Sequence, residues 1–202
     1  MKLYFSPGAC SLAPHIVAHE VGLPLSLEKV DLRSKLTASG SNFLDVTAKG
    51  YVPALVLDDG SVLTEGQVIS QYLADQKPEA GLVPAAGSLA RYRLLEWLGY
   101  INSELHKSYS PLFNPALSPE QREERGAYLK RRYQLVEDTL ARQPYLLGEQ
   151  YSIADVYLYT VTNWAGYVKL DLSEFKALAS FQERVAARPA VQAAQAAERA
   201  AK

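Results

Sequence analysis

The chain has 202 residues, 48% of them hydrophobic, which is enough for one large domain or two modest ones with a packed core. Its 21 basic residues nearly balance 22 acidic ones, so no electrostatic footprint argues for wrapping DNA or RNA. A single cysteine excludes an internal disulfide, no apolar run approaches the roughly 20 residues of a membrane span, and Met1-Lys2-Leu3-Tyr4 does not open a secretory signal. A soluble protein of the reducing cytoplasm is expected.

The first eighty residues mix two periodicities. Lys2 to Phe5 reads as a strand, and an amphipathic helix follows from Ser11 to Val21, stopped at Gly22. Leu25 to Val30 alternates as a second strand, a polar irregular stretch runs through Ser41, and Phe43 to Val46 suits a short helix. Val52-Pro53 leads into a strand over Ala54 to Leu57, Asp58-Asp59-Gly60-Ser61 supplies a hairpin turn, and Val62-Leu63 returns as its partner. From Glu65 to Gln76, Val68, Ile69, Tyr72 and Leu73 recur at helical spacing, completing a small mixed sheet with helices.

Pro78, Gly81, Pro84 and Gly87 break the pattern, so residues 80–87 are expected to link a first domain, 1–79, to an all-helical second domain, 88–202. In the second, Leu94, Leu98, Ile101 and Leu105 trace one apolar stripe and Leu129, Tyr133, Val136 and Leu140 another. Ser118-Pro119-Glu120-Gln121 combines an N-cap serine, a first-turn proline and a glutamine at the third helical position. Ser152 and Asp155 repeat the cap, with Tyr151 and Val156 spaced to staple across it, so Asp155 is assigned a structural role. The alanine-rich tail from Arg188 allows a last helix with few large apolar residues to pack it.

Cys10 follows the Pro7-Gly8 turn where the first helix begins. A lone cysteine is ordinarily a small buried hydrophobe. At a helix N-terminus, however, free N–H groups favour thiolate over thiol, and this position predicts a lowered pKa and a reactive sulfur. Ser11 reads equally as an N-cap or as a second donor to a thiolate. His15 and His19 stand four apart but lack the third and fourth ligands of a zinc site, and both are expected at the partial surface.

The strand-helix order, the Val-Pro before a hairpin, a Glu opening the next helix, the capped start at Ser152 to Asp155 and the helical second half together resemble the glutathione transferases. Met1-Lys2-Leu3-Tyr4-Phe5-Ser6-Pro7-Gly8-Ala9-Cys10-Ser11 and Glu104-Leu105-His106-Lys107 are similar to the bacterial beta-class branch. The resemblance covers essentially the whole chain. It implies an α/β plus all-α fold, with a thioredoxin-like N-terminal domain around a mixed four-stranded sheet followed by a helical bundle.

It also implies a glutathione site. Glu65 would hold the ligand's ammonium while the N–H groups of Gly66 and Gln67 receive its α-carboxylate, although an acid here also complements its own helix dipole. Val52 would pair with the cysteinyl unit as an added strand, with a cis peptide implied before Pro53. Cys10 would lie by the sulfur, with Ala9, Ser11, Tyr51 and Pro53 among the other glutathione-binding residues, and Lys35, His106 and Lys107 would meet either the sulfur or the glycyl carboxylate. Ser103 and Glu104 complete the set, Glu104 by reaching the ligand of the second subunit in a homodimer. At ordinary helical spacing Gly99, Ser103 and His106 share a face that can look into the interdomain cleft, with Asn102 on another. Relatives commonly have serine at Gly66, asparagine at Gly99 and glutamine at Tyr51; Tyr51 either lines the mouth of the cleft or packs on the strand.

The activity implied is conjugation of glutathione, as co-substrate and without a metal, to electrophilic small molecules in detoxification. Cys10 and His106 are the implied catalytic pair. Phe5 has no hydroxyl and Tyr4 alternates to the other strand face, so tyrosine-assisted activation is not available there. Thiol-disulfide exchange through Cys10 with a disulfide second substrate is the other regime. A non-catalytic carrier of apolar ligands in the interdomain cleft is the competing reading, and a docking scaffold a third.

Overall fold

The computed structural model describes residues 1–201. Two compact units emerge, one of residues 1–83 with 187–202 and one of residues 84–186. This departs from the expected division in one respect: the C-terminal tail belongs with the first unit rather than with the helices that precede it.

In the first unit a sheet of order β2-β1-β3-β4 joins β1 (Lys2–Phe5), β2 (Ser26–Lys29), β3 (Ala54–Val56) and β4 (Val62–Thr64). β1 runs parallel to β2 and antiparallel to β3, and β3 pairs antiparallel with β4. The crossover from β1 to β2 is α1 (Leu12–Glu20), and α2 (Gly66–Asp75) packs beside it. Alternation along β1 sorts the core: Leu3 and Phe5 are buried, and Phe5 meets the ring of His15 on α1 at 6.3 Å. Tyr4 turns the other way onto Phe43, in a second cluster with Val30, Val52 and Ala54. The hairpin closes as expected, Leu57 N–H donating to Ser61 O, with Gly60 at φ +83°, which glycine adopts without steric penalty.

The tail forms α9 (Pro189–Ala200), which packs on α1 and buries Val191 and Ala194. Charge fixes it where apolar bulk is scarce. Arg188 grips Glu20 with two hydrogen bonds of 2.6 and 2.9 Å, and buried Glu198 accepts from Gly8 N–H at 2.9 Å with His15 Nδ1 3.5 Å away. His15 is therefore 2% exposed rather than a partial-surface residue, while His19 is exposed.

The second unit holds α3 (Leu89–Tyr100), α4 (Lys107–Tyr109), α5 (Pro119–Leu140), α6 (Ile153–Thr162), α7 (Trp164–Val168) and α8 (Lys176–Ala186). Every residue of both predicted stripes is buried. The Ser118 cap is reciprocal: Gln121 N–H donates to Ser118 Oγ, and Ser118 N–H donates to Gln121 Oε1. α6 is buried on all sides, so each of its polar groups must find a partner inside. Thr160 donates to Val156 O, Thr162 receives Tyr133 OH, and Tyr133 OH in turn meets Tyr109 OH at 2.9 Å.

Asp155 anchors this helix. Its carboxylate accepts from Ser152 N–H, Ser152 OH and Leu146 N–H, each at 2.8 Å. Burial pushes its carboxyl up to about 6, against the pull of those three donors. Asp155→Ala is expected to lower the unfolding free energy by about 3 kcal/mol in urea titrations, because buried donors lose their acceptor. The folded value lies above the ordinary 3.8, so the stability tied to this carboxyl is complete below 3.8 and is lost as pH rises toward 6. The gap between wild type and D155A should therefore narrow across that window, and a widening gap would contradict the assignment.

Candidate functional site

In the first unit the chain brings three of the expected elements together. Cys10 is half-buried and its thiol donates to Val52 O at 3.3 Å. The Val52–Pro53 peptide is cis. Gly66 backs onto the same point: a Cβ built there would lie in ordinary contact, 3.5 Å from Pro53 Cγ and 3.8 Å from Cys10 O.

Glu65 carries the strongest local anomaly. It caps α2 at φ 69°, ψ 112°, a conformation that costs a residue with a Cβ about 1–3 kcal/mol. Its peptide carbonyl accepts from Val68 and Ile69 N–H, leaving the N–H groups of Gly66 and Gln67 ahead of the first intrahelical bond. Its carboxylate meets Lys49 Nζ at 2.5 Å. With both side chains more than 40% exposed, this pair is screened by water and exchanges readily for another cation. Lys49 is a residue that sequence reasoning missed, since nothing in its spacing from Glu65 signals the contact.

Two expectations are corrected here, at Cys10 and Ser11. Cys10 was expected to have a lowered pKa; its thiol is instead pushed up to about 12 by burial, with the Glu65 charge adding to the rise. The backbone N–H groups of Cys10 and Ser11 pull the other way and lose. Ser11 does not cap α1: its own backbone is already helical, and its hydroxyl donates to Ser6 O while accepting from Ser6 N–H, both at 3.2 Å. That buried hydroxyl closes the Ser6–Ser11 turn around Pro7, Gly8, Ala9 and Cys10. Lys35 stands at φ 62° with Nζ donating to Gly50 O at 2.7 Å, bracing the turn before Tyr51, which is half exposed.

In the second unit, α3 passes into α4 through a π-helical stretch, Ile101–His106. Asn102 and His106, four residues apart, face the same way there, as they would on a regular helix. Gly99 and Ser103 are exposed, whereas Asn102, expected on another face, shares a partner with His106. Tyr157 OH on α6 donates to Asn102 Oδ1 at 3.0 Å and lies 2.6 Å from His106 Nδ1. The His106 ring also stands edge-on to Trp164 at 4.7 Å, and Trp164 contacts Tyr109 and the half-exposed Phe113. Glu104 binds Tyr128 OH and Arg132 Nε within its own chain, both at 3.0 Å, and Lys107 is exposed. Asn102, Tyr157 and Trp164 were not among the expected site residues; an aromatic-rich capped helix was visible in the sequence, but not its partner.

Comparison with known proteins assigns this architecture. The glutathione S-transferase N-terminal domain model matches residues 8–76, and the glutathione S-transferase C-terminal domain model residues 100–189. The chain belongs to the glutathione S-transferase family. It is 46% identical over 198 residues to glutathione S-transferase GstA of Escherichia coli O157:H7, covering 98% of each chain. Among solved structures, a sphingomonad glutathione S-transferase complexed with glutathione is 46% identical, and a bacterial beta-class glutathione S-transferase of Sphingomonas chungbukensis 42% identical. Both cover 98% of each chain with TM-score 0.94. The thioredoxin-like unit and the helical unit expected from the resemblance are those of this family. No helix among the described residues is long and apolar enough to cross a membrane, and no group of three or more His, Cys, Asp or Glu among them is placed to hold a metal ion.

The raised thiol makes a direct prediction. At pH 7 Cys10 should react with iodoacetamide at least about 100-fold more slowly than a free cysteine, with a rate still climbing above pH 9. A plateau below pH 8 would show a thiolate where burial should forbid one.

Proposed function

We propose that the protein conjugates glutathione to small electrophiles, with Cys10 acting as a hydrogen-bond donor rather than as a nucleophile. The observation that carries this reading is the strained, half-exposed Glu65 at the head of α2, beside the N–H groups of Gly66 and Gln67 that precede the first intrahelical bond and next to the Cys10–Val52 contact. Strain of that size persists where the surroundings hold the residue to a task. The ammonium of glutathione would replace Lys49 on Glu65, its α-carboxylate would take the N–H groups of Gly66 and Gln67, and its cysteinyl unit would pair with the Val52 backbone. A carrier of apolar ligands needs none of these groups.

Cys10 then has work as a thiol. Once the ligand's cysteinyl N–H occupies Val52 O, the Cys10 S–H turns to the glutathione sulfur and stabilises it as thiolate. His106 takes the proton that the sulfur loses, and Ala9 and Ser11 shape the turn beneath it. Lys35, Lys107 and Ser103 serve the glycyl end, Lys35 by bracing the Gly50–Tyr51 segment. With an aryl chloride the thiolate attacks the ring carbon, the C–S bond forms, and chloride leaves with the bonding pair. Disulfide exchange needs a Cys10 thiolate, which a pKa of about 12 disfavours. In the cytoplasm the chain would work as a homodimer, a pairing supported by Leu89 and Tyr92, 73% and 60% exposed one turn apart on α3. Glu104 would then act across the dimer only by leaving Arg132.

Two variants test the reading. Glu65→Gly should relieve strain and raise stability by about 1 kcal/mol while weakening glutathione at least about 10-fold in calorimetry; unchanged affinity would remove Glu65 from the site. Cys10→Ala should keep aryl-halide conjugation, with kcat reduced about 3- to 10-fold, and abolish any disulfide reductase activity. Loss of both activities would make Cys10 indispensable to all turnover and defeat the donor role.

A further inference from the structure

Asn102 and His106, four residues apart and so on one helical face, meet a single phenol, that of Tyr157. Tyr157 OH has one proton, and it goes to Asn102 Oδ1 at 3.0 Å. The oxygen that faces His106 Nδ1 at 2.6 Å is therefore an acceptor, and Nδ1 must carry a hydrogen to meet it. Tyr157 is 4% exposed on a helix buried all round, so water does not compete freely for either bond. Trp164, edge-on at 4.7 Å, holds the ring plane and limits a flip that would exchange the two nitrogens.

We propose that Asn102 and Tyr157 are positioning residues that lock His106 as the Nδ1–H tautomer, making Nε2 the basic atom of the neutral ring. This deepens the functional reading above and rests on it, since it specifies which nitrogen takes the proton from the glutathione thiol. In that step the S–H bond breaks, an Nε2–H bond forms, and the imidazolium keeps its Nδ1–H on Tyr157, whose own proton stays on Asn102. No proton moves along the phenol. The network works by orientation, as a second partner commonly does for a histidine whose other nitrogen is in use.

The direction of the Tyr157 proton is the testable point. In Asn102→Leu the phenol loses its acceptor, turns its proton onto His106 Nδ1, and forces hydrogen to Nε2. Asn102→Asp keeps an acceptor and should keep the wild-type arrangement. With three histidines in the chain, nitrogen NMR of the 15N-histidine-labelled protein above pH 8, assigned with His106→Asn, reads the tautomer directly. The expected result is Nδ1–H in the wild type and in N102D, and Nε2–H in N102L. With 1-chloro-2,4-dinitrobenzene, kcat in N102L should fall about 10-fold at unchanged glutathione KM, with N102D recovering most of the loss. Tyr157→Phe provides a second variant, in which neither tautomer is enforced and both sets of signals are expected.

A wild-type His106 protonated on Nε2, or a ratio that N102L does not move, overturns the proposal. So does a switched tautomer with kcat intact in N102L while His106→Asn is inactive. If instead the ring switches as expected and His106→Asn conjugates at the wild-type rate, the assignment of the proton to His106 fails, and the positioning role falls with it.

Discussion

The helical unit hangs on one buried carboxylate. Asp155 gathers two backbone N–H groups and a hydroxyl at the start of α6, and fixes both where that helix begins and how the 145–152 turn approaches it. Everything that α6 presents follows from that start, because a buried helix cannot rotate without exposing or orphaning its polar groups. Tyr133–Thr162 and Tyr157–Asn102 are two such commitments, one on each side. The second reaches the residue on which the proposed chemistry depends. An acid far from the proposed chemistry thus sets the orientation of the histidine to which that chemistry assigns a proton, through a helix held by its cap.

At Cys10 two general effects oppose each other, and magnitude decides between them. A helix N-terminus favours the anion by about 0.3–1 kcal/mol when exposed and up to about 2 when partly buried. Removing a thiolate from water costs more, up to several pKa units of about 1.4 kcal/mol each. The thiol also has an acceptor in Val52 O, which a thiolate would face as a repulsive lone pair. Position in the helix alone therefore gave the wrong sign. The same cysteine remains useful as a thiol, for a donor near a developing anion needs a proton to offer. The family's alternative regime, redox exchange, needs the opposite.

Which parts were legible follows from how local each signal is. The strands, the hairpin at Gly60, both apolar stripes and both capping motifs are set by residues within a turn or two of one another, and their periodicities survive folding. The resemblance of the first eleven residues and of 104–107 named the family and most candidate side chains. What could not be read was pairing over long separations. Glu198 lies 190 residues from Gly8, and the alanine-rich tail gave no hint that a buried acid and Arg188 would seat it on α1. Lys49 with Glu65 and Asn102 with Tyr157 are missed for the same reason. His15 was misjudged because imidazole suits either side of a surface, and only the partner on α9 decides.

The remaining misreading set Asn102 on a different face from His106, although residues four apart lie only about 40° from each other on a regular helix. A π-helical turn is less well bonded than the α-helix it interrupts, and Glu65 at positive φ is likewise less favourable than the glycine that would suit it. Most of this chain obeys its local preferences; of its departures, which also include Lys35 at φ 62° and Lys169 at φ 57°, these two fall on residues assigned to the ligand and to its proton. Consistency elsewhere is what makes them tolerable, since a core of well-capped helices and a four-stranded sheet can hold a few kcal/mol of misfit at a few points. A glycine at 65 would relax the backbone and remove the carboxylate with it.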